Sequence, residues 1–305
     1  MQSRITVVMA TYQGERFIAD QLASLAAQTR KPDSLLISDD GSTDATLAVA
    51  ESFAMSAPFR VAIQRNPARL GYAWNFIAAA RRADGDIVCF ADQDDVWHPE
   101  KLAAMGAALE DGRDLAVGHD IGLVDAGGGA ILPSYFARLR ADGLPASLCI
   151  KGCSLGFRRE LVAAWGWPGP DSGISHDLWI ASLALAAGRR GVLDRVLVSH
   201  RLHGANASGW FVRREDLHLA RRVLRGLAPR RRWTELDAFL ECYFPLDRVG
   251  GPVEIAQRIA HRPALGDAAA LARFRRAAAI HRLFIRHYPG MRDRRAQVHR
   301  SPPAR

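Results

Sequence analysis

The stretch Ile87-Val-Cys-Phe-Ala-Asp-Gln-Asp-Asp95 constrains the fold of this chain more than any other. Its opening residues are apolar on both alternating faces, the pattern of a strand covered above and below in a parallel sheet. The run then meets the acids Asp92, Asp94 and Asp95, followed by Val-Trp-His-Pro-Glu100. Pro99 suits the first turn of a helix, so the acids fall in a strand-to-helix turn. Open α/β sheets bind ligands at the carboxyl ends of their strands. Like charges this close repel, and a hard cation such as Mg²⁺ with oxygen ligands relieves that repulsion. In Asp92-Gln93-Asp94, alternate residues can point the same way. Two readings fit these residues alone. One is a metal site that holds a diphosphate; the other is a solvated acidic helix start stabilised by the helix dipole.

The rest of the first half alternates in the same manner. Ile5–Ala10, Ser34–Ser38 and Phe59–Gln64 read as strands. Helical spacing runs through Ile18, Leu22 and Leu25, then Ala45–Phe53 with Ser42, Thr43 or Asp44 as N-cap, then Trp74–Arg82. Such alternation predicts an α/β layer fold with a mostly parallel sheet. No Gly-x-Gly-x-x-Gly follows the first strand and no Gly-Lys-Ser/Thr loop occurs, which disfavours dinucleotide-binding and P-loop folds. Acids instead close two strands, at Asp39-Asp40 and at Asp92 to Asp95. Downstream, Leu115–Val124 and Val192–His200 read as strands, Arg158–Val162 and Ile180–Ala187 as helices, and Ser134–Leu144 has no clear pattern.

Composition changes after Gly209. Residues 213–232 carry eight arginines around an apolar face of Leu217, Ala220, Val223, Leu224 and Leu227. Val253–His261 and Leu265–Arg286 read as further helices. The expected layout is a domain over 1–210, a helical basic extension over 211–290, and a disordered tail over 291–305. The formal charge of +9 suits anionic partners: nucleic acid, an anionic membrane surface or phosphorylated substrates. No nucleic-acid recognition motif accompanies it. Neither a signal peptide nor a membrane span is read, so the expected compartment is the cytosol, with its four cysteines reduced.

Taken together, several short motifs resemble the family-2 glycosyltransferases of GT-A fold, in particular their rhamnosyltransferase-like branch. They are Val8-Met-Ala-Thr-Tyr-Gln-Gly14, Ser38-Asp-Asp-Gly-Ser-Thr-Asp44, Leu70-Gly-Tyr-Ala-Trp-Asn-Phe76, Asp92-Gln-Asp-Asp-Val-Trp97, Gly152-Cys153, His176-Asp177 and His203-Gly-Ala-Asn-Ala-Ser-Gly209. The resemblance implies a Rossmann-like, mostly parallel mixed sheet flanked by helices. It also implies roles. Thr11, Tyr12, Asp39, Asp40, Asp92 and Asp95 would contact the nucleotide-sugar donor. Asp94 and His203 would hold Mg²⁺ or Mn²⁺, Asp177 would be the catalytic base, and Gly152, Cys153 and His176 would lie on the acceptor side. Gln13, Lys151, His200 and Leu202 depart from the residues usual in the family, which bears on donor choice.

The implied reaction is inverting, metal-dependent transfer of one sugar from a nucleotide-diphosphate donor, dTDP-rhamnose being one candidate. The acceptor would be a saccharide or lipid-linked saccharide in cell-surface polysaccharide synthesis. The basic helix would then dock on anionic lipid at the inner face of the membrane. The processive-synthase pattern Gln-x-x-Arg-Trp is absent, which favours single-sugar addition. Two other readings compete: a nucleotidyltransferase of GT-A-like fold, which would need a basic Gly-rich loop after the first strand, and a non-catalytic sugar-nucleotide-binding protein.

Overall fold

The computed structural model describes residues 2–142, 146, 149, 151–168, 175–204, 206, 266–270 and 272. Four parallel strands form its first half: β1 (Ile5–Thr11), β2 (Ser34–Asp39), β3 (Arg60–Arg65) and β4 (Ile87–Asp92), in spatial order β3-β2-β1-β4. Side chains alternate across a strand, and here both faces are covered. Val7 and Met9 of β1, with Ile87, Cys89 and Ala91 of β4, pack beneath helices α1 (Ile18–Ala26), α2 (Thr46–Ala54) and α4 (Lys101–Glu110). Val8, Val88 and Phe90 face the opposite way. They pack against α3 (Tyr72–Ala80), α6 (Glu160–Trp165) and α7 (His176–Ala186). Two cores on one sheet make a three-layer α/β/α body, and Trp97 and Trp179 are both core residues.

The second half of the sheet is mixed. β8 (Leu155–Arg158) runs antiparallel between β4 and β6 (Ala116–Val124), and β9 (Arg190–Arg201) lies parallel to β6. The expected mixed sheet is parallel across β1 to β4 and again between β6 and β9, and antiparallel where β8 joins these two parts. Three strands are absent from the sequence reading: β8, β7 (Ala130–Leu132) hairpinned onto β6, and β5 (Val96–Trp97). Leu155–Arg158 is too short for a period, and Arg158, read as helical, belongs to β8. Ser134–Leu144, unclear in sequence, contains α5 (Tyr135–Ala141), whose N-cap Ser134 accepts from the Ala137 amide. Asp44, one of three proposed caps, accepts from the Thr46 amide at 3.1 Å.

The strand β5 matters most for function. The acids were expected in a strand-to-helix turn with Pro99 inside the helix. Instead Val96 and Trp97 pair antiparallel with Ser199 and Val198 of β9, and α4 begins only at Lys101. That pairing draws the acidic turn against the end of β9.

Register then sets the site. Thr11 pairs with Asp39, and Ala10 pairs with Asp92, so three strand ends share one edge. Chain order runs outward from β1 to β2 and β3, then returns to β4 on the other side of β1. The switch point therefore lies between β1 and β4, where such sheets open a crevice. Asn75 of α3 ties this edge together. Its amide donates to the Ser38 carbonyl at 2.8 Å, and its Oδ1 accepts from Asn66 Nδ2 at 2.9 Å, fully inside the protein. Asn75→Ala removes both bonds and is expected to cost ~1–3 kcal/mol in urea unfolding; a loss below ~0.5 kcal/mol would contradict the role of this bridge.

The basic extension, the disordered tail and most of the late helices lie outside the described residues. Of the helix expected over 265–286, residues 268–270 and 272 are helical. The Asp267 amide donates to the carbonyl of Ala187, just past α7.

Candidate active site

A cavity of about 890 Å³ opens at the switch point. Thr11, Tyr12, Asp40, Asp92, Asp94, Gly152, His176, Asp177 and His203 all line it, together with Lys151, His200 and Asn206. Most of the residues singled out in the sequence therefore converge on one space.

The first loop forms one wall. Tyr12 is held by Gln93, the middle residue of Asp-x-Asp: its amide donates to Gln93 Oε1 and its carbonyl accepts from Gln93 Nε2, each at 2.9 Å. A Cβ on Gly14 would sit 2.3 Å from Gln93 Oε1, so a larger residue there would displace the Gln93 amide from Tyr12. Gln13 adopts φ 49°, a left-handed conformation that Asn enters more readily, and its side-chain oxygen accepts from the Thr43 amide at 2.7 Å. The Arg69 guanidinium lies 3.9 Å from the centroid of the exposed Tyr12 ring. Asp40 fixes the segment carrying Arg69, accepting from the amides of Leu70 at 2.7 Å and Gly71 at 2.8 Å.

Three site residues proposed from sequence lie behind the wall, each fully buried: Asp39, Asp95 and Cys153. Asp39 accepts from Thr11 Oγ1, the amides of Gly41 and Ser42, and Ser42 Oγ, so in this structure it shapes the loop rather than facing the cavity. Asp95 faces β9, where His200 Nδ1 lies 2.8 Å away and the Arg201 amide donates at 3.1 Å. A direct contact of Asp39 or Asp95 with a donor is thus not part of this geometry. The physical reason is that inward-turned carboxylates take fixed protein donors, at both oxygens of Asp39 and at Oδ1 of Asp95.

The acidic turn is strongly perturbed. Burial, then repulsion from Asp95 and Asp94, pushes Asp92 up to about 8. Asp94 is also raised, first by burial and then by Asp95, while His203 acts in the opposite sense. Burial would raise Asp95 too, but the neighbouring His200 outweighs it and holds Asp95 below the usual range. Asp94 Oδ2 meets His203 Nε2 at 2.7 Å and Asn206 Nδ2 at 3.3 Å. The His203 ring rests on Phe17, with centroids 4.8 Å apart. A carboxylate oxygen and an imidazole nitrogen thus meet on the cavity wall beside a second carboxylate, a donor set that fits a Mg²⁺ or Mn²⁺ ion.

Asp177 sits in the first turn of α7, two residues past the position its capping role would need; Ser175 is the N-cap residue. Ser175 Oγ donates to Asp177 Oδ1, and the Leu178 amide donates to the same atom at 2.8 Å. Its neighbour His176 stacks on Phe76 at 4.1 Å and meets Phe90 edge-on at 4.6 Å. A Cβ on Gly152 would lie 2.7 Å from His176 Nε2, which explains the glycine there.

Burial pulls His176 down to about 4, against the opposing charge of Asp177. The unfolded chain therefore takes up the proton first. His176 contributes stability above pH ~6.5, and that contribution is lost as pH falls toward 4. Its full size is about 3 kcal/mol. His176→Phe is expected to keep its stability between pH 6.5 and 4.5 better than wild type, read from melting temperatures at each pH. Parallel profiles would sink this assignment.

Sequence reasoning gave no role to Gln93, Asn206 or Lys101. Lys101 is fully buried, with its Nζ 3.5 Å from the Trp97 ring centroid and donating to the Cys153 carbonyl. Burial lowers it to about 8, against the attraction of Cys153, Cys89 and the acids. A helix-start lysine ordinarily reads as solvated; only the insertion of β5 turns it inward.

The fold and cavity together have the GT-A form: a switch-point cavity with an Asp-x-Asp turn at the end of β4. Residues 6–163 match the family model described as Glycosyl transferase family 2, and the chain belongs to that family. The dTDP-rhamnosyl transferase RfbG of Shigella flexneri is 41% identical over 98 residues, covering 31% of this chain and 34% of that relative's length. Staphylococcus aureus TarS in complex with UDP-GlcNAc superposes with a TM-score of 0.57 at 20% identity, covering 79% of this chain and 71% of the other. The mannosyltransferase PcManGT of Pyrobaculum calidifontis, in complex with GDP-Man and Mn²⁺, gives 0.56 at 20% identity, covering 92% and 81%. At those identities the two structures bear on the fold alone.

Proposed function

We propose that this glycosyltransferase moves one sugar from a nucleoside-diphosphate donor to a hydroxyl of a saccharide or lipid-linked saccharide, inverting the anomeric carbon. The observation that carries the reading is the opening of Asp92, Asp94 with His203, and Asp177 onto one cavity, although they lie up to 109 residues apart in direct contact pairs. Tyr12 with Arg69 offers a flat wall that suits a nucleobase, with Thr11 and Asp40 at its base. Asp94 and His203 would hold Mg²⁺ or Mn²⁺, which when bound supplies Lewis-acid stabilisation of the departing diphosphate. Asp177 takes the proton of the attacking hydroxyl, and Ser175 and the Leu178 amide hold that carboxylate in place. Attack from the face opposite the diphosphate inverts the centre.

The name of the Shigella flexneri relative makes dTDP-rhamnose the first donor to try. Release of nucleoside diphosphate from dTDP-rhamnose, UDP-GlcNAc and GDP-mannose, with and without Mn²⁺, tests the reading, and proton NMR of the product gives its anomeric configuration. No release and no thermal shift with any donor would overturn it.

We place the enzyme at the cytoplasmic face of the membrane. Among the described residues, no helix is long and apolar enough to cross a membrane. Contact with anionic lipid would fall to the arginines of 213–232, outside the described residues. Flotation with anionic but not neutral liposomes is the expected result; flotation with neither would remove the membrane contact.

A further inference from the structure

Behind the cavity wall lies a donor set of which the proposed sugar transfer uses only Asp92. Asp92, Asp95, Cys153 and His200 each present one ligand atom, and the four atoms lie within 4.8 Å of one another. They come from the β4–β5 turn, the 3-10 turn Gly152–Ser154 and the end of β9. His200 Nδ1 lies 2.8 Å from Asp95 Oδ1 and 3.7 Å from Cys153 Sγ. Tetrahedral Zn²⁺, with bonds of ~2.0–2.3 Å, spaces its ligand atoms roughly 3.3–3.8 Å apart. The Cys153–His200 spacing already lies in that range, and the Asp95–His200 spacing is shorter.

Two further observations point to a ligand. Asp95 Oδ2 is buried and has no hydrogen-bond partner among the described residues, whereas buried polar atoms are normally paired. Asp92 and His200 also line the cavity, which gives an ion its route inward. Charge balances as well: two carboxylates and a thiolate stand against a divalent cation and the Lys101 ammonium, whose Nζ donates to the Cys153 carbonyl. Thiolate and imidazole ligands select Zn²⁺ over Mg²⁺, so this set differs in kind from the Asp94–His203 pair.

We infer that Asp95, Cys153 and His200, with Asp92 as fourth ligand, form a second, buried site for a thiophilic divalent cation of the Zn²⁺ type. The site stands whether or not the chain transfers a sugar.

Co²⁺, which reports tetrahedral thiolate ligation by absorbance, tests it on the full chain. Wild type is expected to show a near-ultraviolet thiolate-to-cobalt band, bleached by stoichiometric Zn²⁺. Asp94→Asn and His203→Gln keep the band, because their side chains belong to the other set. Cys153→Ser loses it, with circular dichroism confirming the fold. His200→Gln retains the thiol and weakens Co²⁺ binding by more than roughly tenfold. Absence of the band in wild type, or its survival in folded Cys153→Ser, overturns the site. Should Cys153→Ser fail to fold, unchanged Co²⁺ affinity in His200→Gln overturns it instead.

Discussion

Asp177→Asn is expected to lower turnover by roughly 10²–10⁴-fold, the usual contribution of a positioned base. Donor affinity should stay within about twofold of wild type. Asparagine is the informative choice because its side-chain oxygen still accepts from Ser175 Oγ and the Leu178 amide, leaving the start of α7 intact. What it cannot do is take a proton. The loss should therefore appear in kcat at saturating donor, while calorimetric donor titration is nearly unchanged. Near-normal turnover would remove Asp177 from the role. A matching loss in donor affinity would instead make it a binding residue.

Asp94→Ala is expected to be comparably damaging for a different reason. It removes the carboxylate that meets His203 at 2.7 Å, and with it half of the pair facing the cavity. The Mn²⁺-induced rise in melting temperature should vanish, and Mn²⁺ affinity should fall by at least ~100-fold. Stability without metal should move the other way. Asp92 is raised to about 8 by burial and by its acidic neighbours. A carboxyl whose folded value lies above its unfolded one costs stability as pH rises from about 4 through about 8. Deleting Asp94 removes one source of that cost. Metal-free Asp94→Ala should accordingly melt no lower than wild type at pH 8.5. A lower melting temperature would show that the acidic turn is stabilised by Asp94 rather than strained by it. Functional sites commonly hold such strain.

The difference between the two variants reflects how the site is built. Asp177 is positioned by its own helix start, through partners one and two residues away. Asp94 is positioned by a partner 109 residues away, through the pairing of β5 with β9. Local geometry of the first kind can be anticipated from a sequence. The second kind needs the assembled sheet.

The same division runs through the molecule. Strands β1 to β4 and helices α1 to α3 were legible because burial on both faces, or on one stripe, writes a period into a short window. Strands β5, β7 and β8 were not, because two to four residues carry no period and their pairing partners lie far along the chain. The motifs named the right neighbourhood for the site. They did not reveal that Asp39 and Asp95 turn inward onto protein donors, or that Cys153 and Lys101 are buried as well.

By itself the sequence determined the family, the layered α/β body, and the placement of acids at the ends of β2 and β4. Only the tertiary structure decided which of those acids face the cavity and which face β9. The physical reason is that hydrophobic periodicity records how a residue meets the core next to it. The direction of a carboxylate is set by whichever donors the folded chain brings within 3 Å or so.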